Sequence, residues 1–341
     1  MNTRRTALSV LYEGKDISEQ LSPYLMAWTY TDNLSGQVDD ICITLEDRAT
    51  RWLNSWMPNK GSTLKVSIIK KNWEGYTGTS KKNIGKFEID TITATGEPTE
   101  VTIAAMAIPE SAAIRREQKS KAWENATLKK VAGDIAAQNK MKLTFKSSDT
   151  QKKDRYEQDN ETDLQFLRRL CNDEGLCLKI SNKNLVILDE AEYEGKKESA
   201  TITRDNSGTD KRITVKEWEA ISTICDVYKS CRVEHTGKEK KKAIKATFSP
   251  PKAPKTGKTL VIKQDVKTHA EALRLAKKSL REKNKEANKI NLTVISTMHI
   301  DAGMTFRLAR FGKFNGKYIA YTVIHSGGQV KLSLRKCLEG Y

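Results

Sequence analysis

Few residues in this sequence have the types and spacing that bind a phosphate group. Thr256-Gly-Lys-Thr259 matches the last letters of a phosphate-binding loop, but the first glycine of that motif would fall at Lys252. The residues after it predict a strand, whereas the phosphate cradle needs the backbone amides at the start of a helix. The sequence therefore predicts no nucleotide site and no cofactor.

Cys225, Cys231 and His235 have side chains that bind zinc. They lie on or beside a predicted strand, 223–234, where a rise of about 3.3 Å per residue would separate the two sulfurs by about 20 Å. One zinc ion cannot bridge that distance. We therefore predict no metal site.

The six cysteines have no paired or dense spacing, which is typical of buried thiols in a reducing compartment. Cys171 and Cys177 flank Gly175 and could approach each other, so a disulfide between them stays open. Both belong to apolar strings, which favours core packing, and the same holds for Cys42 and Cys337.

The sequence offers few candidate residues for general acid-base catalysis. His235 lies near a charged loop, His269 opens a helix, and His299 and His325 stand at strand ends. Three pairs of adjacent acids could in principle act as the two carboxylates of a glycosidase: Asp39 with Asp40, Asp173 with Glu174, and Asp189 with Glu190. Adjacent carboxylates are, however, more often found in helix caps and turns. Hydrolase motifs such as Gly-x-Ser-x-Gly and His-Glu-x-x-His are missing. We predict that the chain is not an enzyme and binds no small-molecule substrate.

Length and composition indicate a globular protein of two or three domains: 341 residues, 38% of them apolar. The sequence has no run of about 18 apolar residues, and residues 1–12 are polar where a signal peptide needs an apolar core. We predict a protein that is made and folded in the cytoplasm and does not insert into a membrane.

The net charge of +17 is concentrated in one part of the chain. Residues 1–195 hold 28 Lys plus Arg against 29 Asp plus Glu, whereas residues 196–341 hold 32 against 14. Such a field attracts polyanions, which include nucleic acid, an acidic protein ring or an anionic cell surface. A solvated surface is the simpler interpretation, because the lysines are scattered and only Trp218 lies near a cluster.

The hydrophobic pattern predicts an α+β fold, mainly β, with two small antiparallel β-barrel-like domains flanking an α+β insert. The first domain, residues 1–113, has strands at 7–12, 24–31, 41–45, 64–69, 85–95 and 101–108 and a short helix at 47–56. The insert, 114–195, has helices starting near Asn125 and after the cap Asn160, with strands at 141–145, 176–180 and 185–188.

The second β domain, residues 196–341, also carries a lysine-rich helix capped at Thr268. Its predicted strands are 200–203, 212–219, 223–234, 290–295, 304–310, 317–325 and 329–334. Between them lie a charged hairpin tip at 238–242 and an extended connector at 249–254. The closing segment, 301–328, has glycines at turn spacing between strands.

Several short motifs, in this order, cover nearly the whole chain and resemble the phage late control gene D family. They are Glu46-Asp-Arg48 before Trp52, Gly85-Lys-Phe-Glu-Ile-Asp90, Arg115-Arg116, Lys121-Ala-Trp-Glu-Asn125 with Leu128, the run 163–180, Ala302-Gly303, Phe311-Gly-Lys-Phe-Asn-Gly-Lys-Tyr318 and Val323-Ile-His-Ser326.

The resemblance implies a baseplate or tail hub of a contractile phage tail or a tail-like bacteriocin particle, similar to the first module of type VI secretion spike proteins. Such hubs are trimers with two similar barrels per subunit. Six barrels form a ring that joins a sixfold tail tube to a threefold spike, beside other baseplate proteins. The resemblance therefore implies a structural protein located in the virion or particle.

Two expectations go with this interpretation. Because the chain ends at Tyr341, we expect no fused spike needle, lysozyme or peptidase domain. The positive charge of residues 196–341 is not implied by the family, and we expect it to face an acidic neighbour, with Lys238, Lys240, Lys241 and Lys242 as the groups to neutralise. The alternative is a nucleic-acid-binding protein that uses its basic C-terminal domain. The sequence identifies no partner-binding residue.

Overall fold

The computed structural model describes residues 3–73, 78–107, 112–148, 151–181, 183–235, 243–251, 253 and 257–341. Strands account for 51% of the residues and helices for 18%. The chain is therefore mainly β with an α+β composition, as its hydrophobic pattern predicts. The predicted charged tip at 238–242 lies outside the described residues, as do Ile108 and parts of the connector at 249–254.

The strands of the described part are, in chain order, β1 (Arg5–Tyr12), β2 (Lys15–Asp16), β3 (Leu25–Asn33), β4 (Asp40–Glu46), β5 (Thr63–Lys71), β6 (Thr79–Thr95), β7 (Glu100–Met106), β8 (Gln118–Thr127), β9 (Lys142–Lys146), β10 (Lys152–Thr162), β11 (Leu176–Ser181), β12 (Asn184–Asp189), β13 (Ala200–Thr203), β14 (Ile213–Ser222), β15 (Tyr228–His235), β16 (Ile244–Phe248), β17 (Lys258–Lys263), β18 (Asn288–Ser296), β19 (Thr305–Ala309), β20 (Gly316–Ser326) and β21 (Gln329–Lys336). The α-helices are α1 (Ser18–Leu21), α2 (Ala113–Arg116), α3 (Leu128–Gln138), α4 (Asp163–Asp173), α5 (Glu190–Gly195) and α6 (His269–Asn284).

One sheet of thirteen strands runs through both predicted β domains. Eleven strands follow the order β14-β18-β21-β20-β3-β4-β7-β6-β5-β1-β2, while β19 pairs with β20 and β13 pairs with β19. The two β regions meet where β3 runs antiparallel to β20, with Asn33 opposite Thr322 and Thr29 opposite Ser326. We call this contact the β3–β20 seam. Among the described strands the order is linear and does not close into a ring, so the barrel-like shape is not confirmed.

Each β region has its own apolar core, because one face of each strand is buried. In β4, for example, Ile41, Ile43 and Leu45 alternate with half-exposed residues. One cluster draws on residues between Leu8 and Ala105, and a second on residues between Ala200 and Leu334.

The middle of the chain forms a separate cluster from Ile114 to Ile187, built by α3 and α4 with two small sheets. In the three-stranded sheet β11-β12-β9, strands β11 and β12 match the prediction, while β8 and β10 form a two-stranded antiparallel sheet that the pattern does not predict. The predicted cap of α4 was wrong. Asn160 has a left-handed φ of 46° at the end of β10, and Thr162 with Gln165 forms a capping box instead.

The C-terminal region contains a further unit with its own core. Strands β16-β15-β17 form a three-stranded sheet, and α6 packs on it through Ala272, Ala276 and Leu280. The predicted cap is confirmed, since the Thr268 hydroxyl accepts from the Glu271 amide. The division of the chain into domains at residues 113 and 195 stays a prediction.

Three local predictions were wrong. Residues 48–56 form turns instead of a helix, because the Asp47 carboxylate accepts from the amides of Trp52 and Leu53 and fixes a different backbone path. The strand predicted at 223–234 begins only at Tyr228. The short helices α1 and α5 were not predicted at all.

Candidate functional site

The residues with zinc-binding types do not come together. Cys225 is exposed in a turn ahead of β15, Cys231 is buried within it, and the Nδ1 atom of His235 lies 3.3 Å from Asp265. The described residues contain no group of three or more metal-binding side chains. Lys258 begins β17, so a strand follows the phosphate-loop-like letters, of which Thr256 lies outside the described residues.

All six cysteines are free. Burial raises the pKa of Cys171 and of Cys337 to about 12 and that of Cys231 to about 11. Burial raises the pKa of Cys177 as well. These thiols are therefore protonated at neutral pH and pack as small apolar side chains.

The histidines do not form a catalytic arrangement. His325 is buried at the β3–β20 seam, where its ring stacks on Tyr30 with centroids 5.7 Å apart and its Nε2 lies 3.0 Å from the Ile300 carbonyl oxygen. Burial, helped by Lys82 and Lys70, lowers the pKa of His325 to about 3, so the ring stays neutral. His299 is hydrogen-bonded to Ser80, and His269 starts α6.

One acid from each predicted pair of the insert, Glu174 and Glu190, binds basic side chains of the C-terminal region. Glu174 lies 2.6 Å from both Lys153 and Lys278 and 3.5 Å from Arg274. Burial alone would raise the pKa of Glu174, but the two lysines lower it to about 2. A general acid needs the opposite shift, so Glu174 acts as the centre of an ion-pair group. A cavity of about 460 Å³ lies beside it, between α4, β17 and α6.

A second group of charges, which we call the α5 cluster, is more deeply buried. Arg335 is 2% exposed and lies 2.6 Å from Glu190 and 2.5 Å from Glu194, both on α5. Arg281 lies 2.7 Å from Glu194, and Lys285 lies 3.5 Å from Glu190. Burial would raise the pKa of Glu190, but Arg335 and Lys285 hold it below its usual value.

Lys179 makes the corresponding connection between the insert and the first β region. Its ammonium group lies 2.8 Å from Asp39, pairs with Asp32, and donates to the Asn33 carbonyl oxygen at 2.7 Å. Burial raises the pKa of Asp39 to about 6, although Lys179 opposes this shift.

These charged groups hold parts of the chain together, since each joins residues from two regions. The buried acids of these groups, Asp32, Asp39, Glu174, Glu190 and Glu194, pair with basic side chains of the chain itself, so their carboxylates are held in ion pairs. The sequence analysis did not identify Lys179, Arg281, Glu194 or Arg335. No local signal points to them, because their partners lie between 87 and 147 residues away in the sequence.

Two apolar surface features lie at opposite ends of the large sheet. The tip, residues 222–227, joins β14 to β15 and presents Ile224, which is 92% exposed. The β1 cavity, of about 580 Å³, lies beside the core of the first β region. Among the residues that line it are Val10, Tyr12, Leu21, Trp52, Trp56 and Met57.

The sheets of the described part carry no group of three or more metal-binding side chains, and their charged residues join one region of the chain to another. Residues 86–331 match the model of the phage tail baseplate hub (GPD) family. The chain belongs to this family. It is a component of a phage tail or tail-like particle, and the described residues contain no helix long and apolar enough to cross a membrane.

Other baseplate hub and tail proteins are similar to this chain. The probable baseplate hub protein of Escherichia phage P2 is 28% identical over 202 residues, which cover 58% of this chain and 50% of that protein. This chain spans about half the length of the curated relatives that it matches.

Solved structures share its fold. The 43 kDa tail protein of prophage MuSo2 from Shewanella oneidensis has a TM-score of 0.73 at 14% identity. The superposition covers 97% of this chain and 98% of that protein. The E. coli c3393 protein, a component of the type VI secretion system, has a TM-score of 0.56 at 11% identity, covering 93% of this chain and 75% of that one. The predicted likeness to type VI secretion proteins is therefore confirmed at the level of the fold.

Proposed function

We propose that this baseplate hub chain is a structural symmetry adaptor that acts as a homotrimer. Three copies place six β regions, curved into barrel-like units, in a pseudo-sixfold ring. The ring joins a hexameric tail tube on one side to a trimeric spike on the other, with further baseplate proteins around it. The chain does no chemistry in this role.

The observation that carries the proposal is the β3–β20 seam. It joins the two β regions of one chain through backbone hydrogen bonds, so they are presented as a fixed pair. Lys70 and Lys82 of the first region add to it by donating to the carbonyl oxygens of Ser296 and Ile300. Three fixed pairs supply six units, which is the number that a sixfold tube requires.

The charge pattern supports a protein partner over nucleic acid. Six basic residues of the C-terminal region bind acids of the insert, so part of the positive excess is used inside the chain: Lys267, Arg274, Lys278, Arg281, Lys285 and Arg335. Many other lysines in the described part of this region are exposed, where they would attract an acidic tube or spike surface.

The mass of the purified chain tests the proposal. We expect light scattering to give a trimer at physiological and at high salt, with no change when DNA is added. A monomer that gains mass only with DNA at low salt would favour the nucleic-acid-binding alternative.

Neutralising Lys238, Lys240, Lys241 and Lys242 is expected to weaken assembly with tube or spike protein at low salt only. Unchanged assembly would show that these lysines face no acidic partner.

A further inference from the structure

We infer that Ile224 at the tip of one copy inserts into the β1 cavity of the next copy and forms the contact between hub subunits. The inference rests on the proposed trimer and names its interface. The tip and the cavity lie at opposite ends of one sheet, and they do not meet within the described part of the chain. A surface that fits a different surface of an identical copy makes a head-to-tail contact, and the proposed trimer requires the rotation between copies to close this contact into a ring.

Hydrogen bonds fix the backbone of the tip, so Ile224 is exposed on an ordered turn. The Thr223 amide donates to the Ala287 carbonyl oxygen, the Cys225 amide to the Thr223 hydroxyl, and the Val227 amide to the Ile224 carbonyl oxygen. Ile221, at the end of β14, is 46% exposed and enlarges the apolar surface. Ordered, nearly fully exposed isoleucine is unusual for a surface without a partner.

No described residue of the same chain fills the β1 cavity. Its wall includes Trp56 and Met57, which are 37% and 48% exposed, beside core residues such as Val10. Trp52, also in the wall, is 5% exposed, and its indole N–H has no hydrogen-bond partner among the described residues. An isoleucine side chain supplies no acceptor for this N–H, so the case for the contact rests on the exposed apolar parts of Trp56 and Met57.

Charge favours this pairing over contacts between like regions. Lys15 is the one charged residue that lines the β1 cavity, and Asp226 is the one charged residue of the tip. Residues 1–113 hold 12 Lys plus Arg against 14 Asp plus Glu, whereas residues 196–341 hold 32 against 14. Two C-terminal regions would repel each other, so the tip binds the first region of another copy.

A disulfide trap in the full chain tests the contact. Ser55 lines the β1 cavity and is exposed, while Cys225 beside Ile224 is the native cysteine with an exposed side chain. Mild oxidation of the Ser55→Cys variant should give linked dimers and trimers on a non-reducing gel, because a disulfide needs the two β-carbons about 4 Å apart. Ser55→Cys with Cys225→Ser, and Thr95→Cys at an exposed site on β6, are the controls and should stay unlinked.

A second variant measures the contribution of the isoleucine. Ile224→Asp should raise the dissociation constant of the trimer at least about tenfold, because a carboxylate cannot enter an apolar cavity without loss of hydration. When both proteins are dissociated into subunits at the same concentration, the melting temperature of this variant should match that of the parent chain, because the Ile224 side chain is exposed. Leu273→Asp on α6, where the leucine is 38% exposed, should leave the trimer intact.

The outcomes separate this inference from the proposed function. A trimer that forms without the disulfide and tolerates Ile224→Asp would overturn the inference and leave the trimeric hub standing. A chain that stays monomeric and unlinked at every concentration would overturn both. If a maleimide reagent modifies Cys225 rapidly in the trimer and slowly only after tube or spike protein is added, the tip binds that partner and the inference is wrong.

Discussion

The β3–β20 seam and the α5 cluster join parts of the same chain by different interactions. The seam pairs five residues of β3 with five of β20 and buries Val323 and His325 beside them. The α5 cluster instead places Arg335 between two glutamates of the insert, with little contact to water. One junction depends on backbone hydrogen bonds and apolar packing, and the other on desolvated charges.

The difference shows two kinds of interaction that can fix one region of a hub relative to another. Backbone pairing and apolar burial respond weakly to salt, so we expect the seam to keep the two β regions together at low and at high salt. Buried charges are costly unless every partner is present, so the α5 cluster fixes one orientation of the insert and opposes others. We expect the seam to determine the basic stability of the chain and the charges to determine the position of the insert.

The largest effect is expected from Arg335→Ala, which leaves Glu190 and Glu194 buried with one cation fewer each. Breaking a buried ion pair costs about 3–5 kcal/mol. Urea unfolding at pH 7 measures this loss, with Arg310→Ala as the matched control because Arg310 is 60% exposed beside Asp205. A loss for Arg335→Ala no larger than that of the control would show that the cluster does not stabilise the fold.

The ion pairs around Glu174 should make stability depend on acid pH. The pKa of Glu174 is about 2 in the folded chain against an ordinary 4.5, so its contribution is present above pH 4.5 and is lost as the pH falls to about 2. That contribution is about 2–3 kcal/mol. Glu174→Gln should therefore lower the unfolding free energy at pH 7 and flatten its decline between these pH values. Parallel pH profiles of the variant and the parent chain would contradict this.

The seam should respond differently. Val323→Ala removes two buried methyl groups and should cost about 2 kcal/mol. The cost should be the same at low and high salt, because the substitution removes apolar contacts and changes no charge. Val261→Ala in β17, where the valine is 43% exposed, is the control. A salt-dependent loss at Val323 would mean that the charges and the seam are coupled.

The sequence predicted those parts of the fold whose signal is local. Ile41, Ile43 and Leu45 predict β4 because a sheet with one wet face alternates with period two. Thr268 with Glu271 predicts the start of α6 because the hydroxyl and the amide it accepts from are three residues apart. The antiparallel pair of β8 and β10 was missed because most of its side chains are exposed, which removes the alternation.

The junctions could not be predicted, because they pair residues far apart in the sequence. Asn33 lies opposite Thr322 across the seam, and Glu194 binds Arg335. Residues 47–56 illustrate a local error of another kind. Trp52 and Trp56 have helical spacing, yet their rings meet edge to face at 5.5 Å within turns that the Asp47 carboxylate stabilises. A side chain that accepts from nearby amides competes with helix formation.

The smallest effect is expected at an ion pair that joins the same two regions as the α5 cluster but lies in water. Lys267 pairs with Asp154 of the insert, and the two side chains are 67% and 77% exposed. Exposed pairs contribute about 0–1 kcal/mol, and salt screens them. Lys267→Ala should therefore change the unfolding free energy by less than about 0.5 kcal/mol, and the change should vanish at high salt. If its effect approached that of Arg335→Ala, the position of the insert would depend on the number of charges that cross between the regions and not on their burial.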